Sequence, residues 1–259
     1  MTWTTRPRSD PGGLAAIAAG AGPLVVLIHG VGLRAEAWNR QIDALSVGYR
    51  VLAFDLPGHG GNATPFGAPD LAGYTDAIAG AFDGPALVVG HSMGAMIALD
   101  LAVRHPGTVV GVAALNAIYR RSAVAARAVR ARADRLDGVS PADAEGPLTR
   151  WFGETQTPER AACAAWLRAT DPAGYKRAYT AFARGDAPED AALRALECPA
   201  LFMTGGQEPN STPAMSHEMA ALIRGGAALI VDDAAHMMPM THAEAVNAAL
   251  LKLAGRVFR

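Results

Sequence analysis

Cysteine and lysine are the scarce residues of this 259-residue chain. The two cysteines, Cys163 and Cys198, stand too far apart for a metal-binding spacing. Their rarity excludes a disulfide-stapled scaffold and fits a reducing, cytoplasmic compartment with both thiols as small apolar fillers. Lysine occurs only at 176 and 252, so almost all basic charge is arginine. An excess of either sign is also missing. The 23 Lys and Arg meet 24 Asp and Glu, a net charge of −1, which leaves no electrostatic footprint for nucleic acid. No apolar run reaches the ~20 residues of a membrane-spanning helix, so no membrane partner is expected. Arg6 and Arg8 ahead of Leu14 to Ile28 imitate a secretory leader. Two turn clusters, Asp10-Pro11-Gly12-Gly13 and Gly20-Ala21-Gly22-Pro23, interrupt that segment, and a leader is not expected. Clustered His and Cys are lacking, and the Gly58–Gly61 run has no lysine of a phosphate loop. Neither a metal nor an organic cofactor is therefore expected.

What is present is apolar: 51% of residues are hydrophobic and 18% charged, the balance of a packed globular chain. Short apolar runs at Leu24–Ile28, Val51–Phe54, Ala86–Val89, Val109–Leu115, Ala200–Met203 and Ala227–Val231 read as strands buried on both faces. Between them lie helix-like stretches at about Ala37–Ser46, Leu71–Phe82, Met93–His105, Thr212–Ile223 and Thr241–Leu253. Thr2 to Arg6 and Leu14 to Ala19 are read as two antiparallel edge strands. The alternation predicts an α/β fold, a mostly parallel twisted sheet with helices on both faces. From Tyr119 to Arg194 the rhythm stops, and helical segments divided by Pro141, Pro147, Pro158, Pro172 and Pro188 replace it. The expectation is a core domain at 1–118 and 195–259, with an all-helical cap subdomain at 119–194 inserted over the carboxyl ends of the strands.

The most informative residues are Gly90-His91-Ser92-Met93-Gly94, between an apolar strand-like run and a helix-like run. A serine with glycines two positions away on both sides, at a strand-to-helix junction, is the nucleophile-elbow pattern. Further motifs follow other strands in order: His29-Gly30-Val31-Gly32 with Trp38 beyond it, Asp55-Leu56-Pro57-Gly58-His59-Gly60, Gly205-Gly206-Gln207-Glu208, and finally His236. Through these motifs the chain resembles, over nearly its whole length, the small capped serine hydrolases of the α/β-hydrolase superfamily.

The resemblance implies Ser92 as nucleophile, His236 as the base that takes and returns its proton, and Glu208 as the acid that orients His236. Asp232 or Asp233 is the alternative acid; Asn116, where some relatives carry the acid, cannot ionise. The backbone N–H groups of Val31 and Met93 would form the oxyanion hole. His29 and His59 are read as loop-shaping residues and His91 as a packing or hydrogen-bonding residue. In the insertion, Trp151, Phe152, Trp166 and Tyr179 are candidate substrate contacts, most of the aromatics there being cap core. Arginines 120, 121, 127, 130, 132 and 135 are read as a solvated helix face rather than an anion trap. The expected reaction is hydrolysis of a carboxylic ester, or a related activated acyl compound, through an acyl-enzyme. The partner is then a small-molecule acyl substrate. Carbon–carbon bond hydrolysis, peracid formation and non-catalytic ligand binding remain alternatives for the same scaffold.

Overall fold

The apolar runs become the strands of one seven-stranded sheet in a computed structural model that describes residues 3–62 and 70–259. The strands are β1 (Ala16–Ala19), β2 (Leu24–Ile28), β3 (Arg50–Phe54), β4 (Ala86–His91), β5 (Val109–Leu115), β6 (Ala200–Gly205) and β7 (Gly226–Val231). Their spatial order is β1-β3-β2-β4-β5-β6-β7, parallel throughout except for the antiparallel β1–β3 pair. Side chains alternate between two cores with the period of two that a pleated strand imposes. On β2, Leu24, Val26 and Ile28 join one core while Val25 and Leu27 join the other. That double burial is why these runs read as continuous rather than alternating.

One face is covered by α1 (Asn39–Leu45), α10 (Met238–Thr241) and α11 (Ala243–Val257), and the opposite face by α2 (Leu71–Ala79), α3 (Met93–Arg104) and α9 (Pro213–Leu222). Helix α3 lies against β4 and β5 and buries nine of its twelve residues. Each fully buried aliphatic side chain in it contributes roughly 1.5–3 kcal/mol. Between β5 and β6 come α4 (Ala123–Asp134), α5 (Glu145–Phe152), α6 (Pro158–Ala169), α7 (Pro172–Arg184) and α8 (Asp190–Arg194). Two of the five prolines that divide the insertion in sequence begin helices. Pro158 and Pro172 occupy first-turn positions that need no amide donor, behind the side-chain caps of Thr157 and Asp171. The insertion meets loops at the carboxyl ends of β2 and β3, where Gly32 faces Leu167 and Tyr175, and Gly58 passes close to the backbone of Gly174.

Three expectations are corrected. Among the described residues only one antiparallel edge strand forms. Thr2 lies outside the described residues, and Trp3 to Arg6 carry no strand. The chain there is tied down by side chains instead: the Arg6 amide donates to Glu36 and the Arg8 guanidinium to Glu36 and Asp55, while Pro7 has no amide to give a ladder. Strand β7 is half-exposed rather than buried on both faces, because it is the sheet edge. The helix expected over Thr241–Leu253 is two helices, broken at His242.

Candidate active site

The sheet order reverses between β2 and β4: from β2 the chain builds outward to β3, then returns to the other side with β4. Such a switch point opens a crevice at the carboxyl ends of the strands. His29-Gly30-Val31 leaves β2 on one side of it and Ser92 leaves β4 on the other.

Ser92 holds φ 58° and ψ −120°, a left-handed conformation costly for any residue with a Cβ. The two glycines make it possible. A Cβ on Gly90 would run into the Gly94 carbonyl, and one on Gly94 into the carbonyl of Ile28. The turn is also pinned by the Ser92 amide, which donates to the Leu115 carbonyl at 2.8 Å. The serine hydroxyl is thereby held at the amino end of α3, partly exposed and without a hydrogen bond among the described residues.

His236 sits in the loop after β7, its side chain 13% exposed, and its Nδ1 lies 2.6 Å from Oε2 of Glu208. Glu208 follows β6 and is buried, and its other oxygen accepts from the amides of Asn210 at 2.8 Å and Ser211 at 3.4 Å. Burial alone would push this carboxyl up. The facing His236 ring and the two amides outweigh it and hold the group down at about 2. A carboxylate here accepts the Nδ1 proton and leaves Nε2 of His236 free to act as base. Asp232 and Asp233 are exposed: the Asp232 carbonyl accepts from Gln207, and Asp233 lies 3.4 Å from His242. Neither meets His236.

Two further residues grip His236: His91, in the hydrogen-bonding role expected of it, and Asn116, which the sequence reading missed. Asn116, itself at φ 52°, donates through Nδ2 to the His236 carbonyl at 2.6 Å, and His91 donates through Nε2 to the same oxygen at 2.7 Å. Burial pushes His91 down to about 3, and the neighbouring His236 ring adds to that shift, so it stays neutral. Asn116 stands at the end of β5, where its polar side chain at a strand terminus was the signal available. His29 and His59 shape loops as expected, accepting from the amides of Leu56 and Gly32 at 2.9 Å each.

Ser92 and His236 open onto one cavity of about 450 Å³. Val31 lines it, and Met93 is the first residue of α3, where an amide has no intrahelical acceptor. Met93 is fully buried and is not among the residues that line the cavity. Of the four aromatic candidates, Trp151 and Tyr179 reach the cavity; Phe152 and Trp166 do not line it. Trp151 stacks on the His236 ring, centroids 5.6 Å apart and planes 17° from parallel. Phe152, one step of about 100° round the same helix, is half-buried against the core, as Trp151 is, but does not line the cavity. Trp166 packs edge-on against Trp3 at 6.4 Å. The arginine reading also changes. Arg120, Arg121 and Arg132 line the cavity, joined by Arg150, which nothing in the local sequence singled out. Among the described residues no group of three or more His, Cys, Asp or Glu is placed to hold a metal ion. No helix there is long and apolar enough to cross a membrane.

The alpha/beta hydrolase family matches residues 25–249. One relative, the (E)-2-((N-methylformamido)methylene)succinate hydrolase of Acinetobacter baylyi, is 38% identical over 89% of this chain and 90% of its own length. A pimeloyl-[acyl-carrier protein] methyl ester esterase of Neisseria meningitidis is 30% identical, covering 86% of this chain and 90% of its own. Among solved structures, the enol-lactonase of Burkholderia xenovorans superposes with a TM-score of 0.82 at 25% identity, over 96% of this chain and all of the other. Sheet order, elbow and these similarities agree: the chain belongs to the alpha/beta hydrolase family, and its relatives are hydrolases.

Proposed function

We propose that the protein is a serine hydrolase that cleaves a carboxylic ester, or a related activated acyl bond, through an acyl-enzyme on Ser92. The observation that carries this reading is one cavity shared by an elbow serine and a histidine whose far nitrogen is held by a buried carboxylate. In the first step the Ser92 oxygen attacks the carbonyl carbon while Nε2 of His236 takes the hydroxyl proton. The same proton passes to the leaving alcohol as the carbon–oxygen bond breaks. Water then repeats the sequence on the acyl-enzyme and releases the acid. Glu208 stabilises the imidazolium formed twice in the cycle. The amides of Val31 and Met93 meet the developing oxyanion. Residues 119–194 act as the cap subdomain that roofs the cavity.

A fluorophosphonate probe tests the nucleophile directly. Stoichiometric labelling at Ser92, absent in Ser92→Ala, is the expected result; folded wild-type protein that takes no label rejects the mechanism. A second reading, the same machinery applied to a bond other than a simple ester, is favoured by the 38% identity to a hydrolase of a substituted succinate. Trapping the acyl-enzyme with each substrate class separates the two.

A further inference from the structure

Four arginines and no carboxylate stand among the described residues that line the cavity over Ser92. Two of the four are committed elsewhere. Arg120 pairs with Asp190 at 2.5 Å and lies 3.9 Å from Glu218. Arg121 donates to the carbonyls of Phe182, Ala183 and Gly185 and lies over the Phe182 ring.

The other pair keeps its donors. Arg132, near the end of α4, uses only Nε, which donates to the Tyr179 hydroxyl at 3.0 Å. Its two Nη groups have no hydrogen-bond partner among the described residues. Arg150, in the last turn of α5, forms neither a hydrogen bond nor an ion pair with a described residue. It immediately precedes Trp151, the residue stacked on His236. Both arginines also line an adjoining cleft of about 310 Å³, so they stand where that cleft meets the cavity over Ser92. Asp137 and Asp143 line the outer cleft, not the cavity.

Arg132 is half-buried and Arg150 exposed, and on the cavity side no lining carboxylate faces them, so a ligand that brings negative charge is attracted there. The planar fork of arginine matches a carboxylate, and the tie to Tyr179 orients one fork in advance. Resting on the hydrolase reading above, we propose that Arg132 and Arg150 form a carboxylate-binding subsite. The preferred substrates then carry a free carboxylate in addition to the acyl bond presented to Ser92. A cavity of about 450 Å³ confines them to small molecules.

Two matched esters test the subsite: monomethyl glutarate, which has a free carboxylate, and methyl pentanoate, in which a methyl group replaces it. Acid release is followed by titration. Wild type is expected to favour the glutarate ester in kcat/KM. Arg132→Gln and Arg150→Gln are each expected to cut that preference about tenfold or more, chiefly through KM. Arg150→Lys should keep part of it. Arg150 has no internal partner to lose, so its variant separates recognition from folding, and circular dichroism checks both. Binding of glutarate to Ser92→Ala, read by calorimetry, supplies an arm independent of turnover. If neither ester is cleaved but glutarate binds and the arginine variants abolish binding, the hydrolase reading fails and the subsite stands. If both esters are cleaved equally by wild type, or the variants slow both alike, the subsite is overturned and the hydrolase reading stands.

Discussion

The floor of the cavity and its roof are built on opposite terms. On the floor, charged and polar groups answer one another inside the protein. Both Glu208 oxygens are engaged, and the His236 carbonyl takes two donors. On the roof, Arg132 and Arg150 present donors that no described residue uses. A floor with its hydrogen bonds satisfied holds reacting atoms in fixed geometry, which electrostatic catalysis requires. Donors held open toward a cavity are suited to a ligand. Under the proposed function and subsite, chemistry and choice of substrate reside in different layers of this molecule, so substitutions in one should leave a different kinetic signature from those in the other.

The largest effect should come from the floor. Ser92→Ala is expected to lower kcat/KM on a small p-nitrophenyl ester by about 10⁴-fold or more. Glu208→Gln keeps the side-chain shape and removes the charge that stabilises the imidazolium; a kcat loss of about 10³- to 10⁴-fold is expected, with KM little changed. Asn116→Ala removes one of two donors to the His236 carbonyl, and a smaller fall in kcat, on the order of tenfold, should follow. Steady-state kinetics separates these from Arg150→Gln, whose effect belongs in KM for a carboxylated substrate. Should Arg150→Gln lower kcat on an uncharged ester as deeply as Glu208→Gln does, the division into floor and roof breaks.

The smallest effect is one of stability, and it sharpens the comparison because its groups all lie outside the insertion that carries Arg132 and Arg150. Burial pushes His59 and His91 down to about 3, and His29 down as well, from an ordinary 6.5. The unfolded chain takes up these protons near pH 6.5 and the native protein does not. The stability they contribute is therefore complete above that pH and falls as the pH drops from 6.5 toward 3. Glu36 works in the same direction lower down. Burial alone would raise it, but hydrogen bonds from Arg8 and the Arg6 amide hold it at about 2 against an ordinary 4.5, so its contribution disappears as pH falls below 4.5 toward 2. Urea midpoints should decline steadily between pH 7.5 and 5, and replacing His59 by Gln should flatten part of that slope.

The strands and the elbow were legible because their constraints are local. A run such as Leu24–Ile28 is apolar at every position since both faces of its strand are covered, and glycine at 90 and 94 answers a backbone clash within five residues. Edge effects were not legible. Whether Ala227–Val231 is flanked on both sides depends on sheet order, which no window of sequence contains. The roof was read least well. A helical face of arginines looks solvated in isolation, and Arg132 turns inward only because α4 packs on α7, bringing it to Tyr179. Phe152 and Trp166 failed as cavity residues for the same reason.

By itself the sequence determined the α/β alternation, the elbow serine and the identity of the groups able to do acyl chemistry, because short-range sterics and side-chain chemistry demand particular residues at particular spacings. Only the tertiary structure decided that Glu208, and not Asp232 or Asp233, faces His236. It alone also turned Arg150 toward the cavity over Ser92. Those outcomes depend on how separate loops and helices converge across the sheet, a matter of long-range packing that neighbouring residues do not encode.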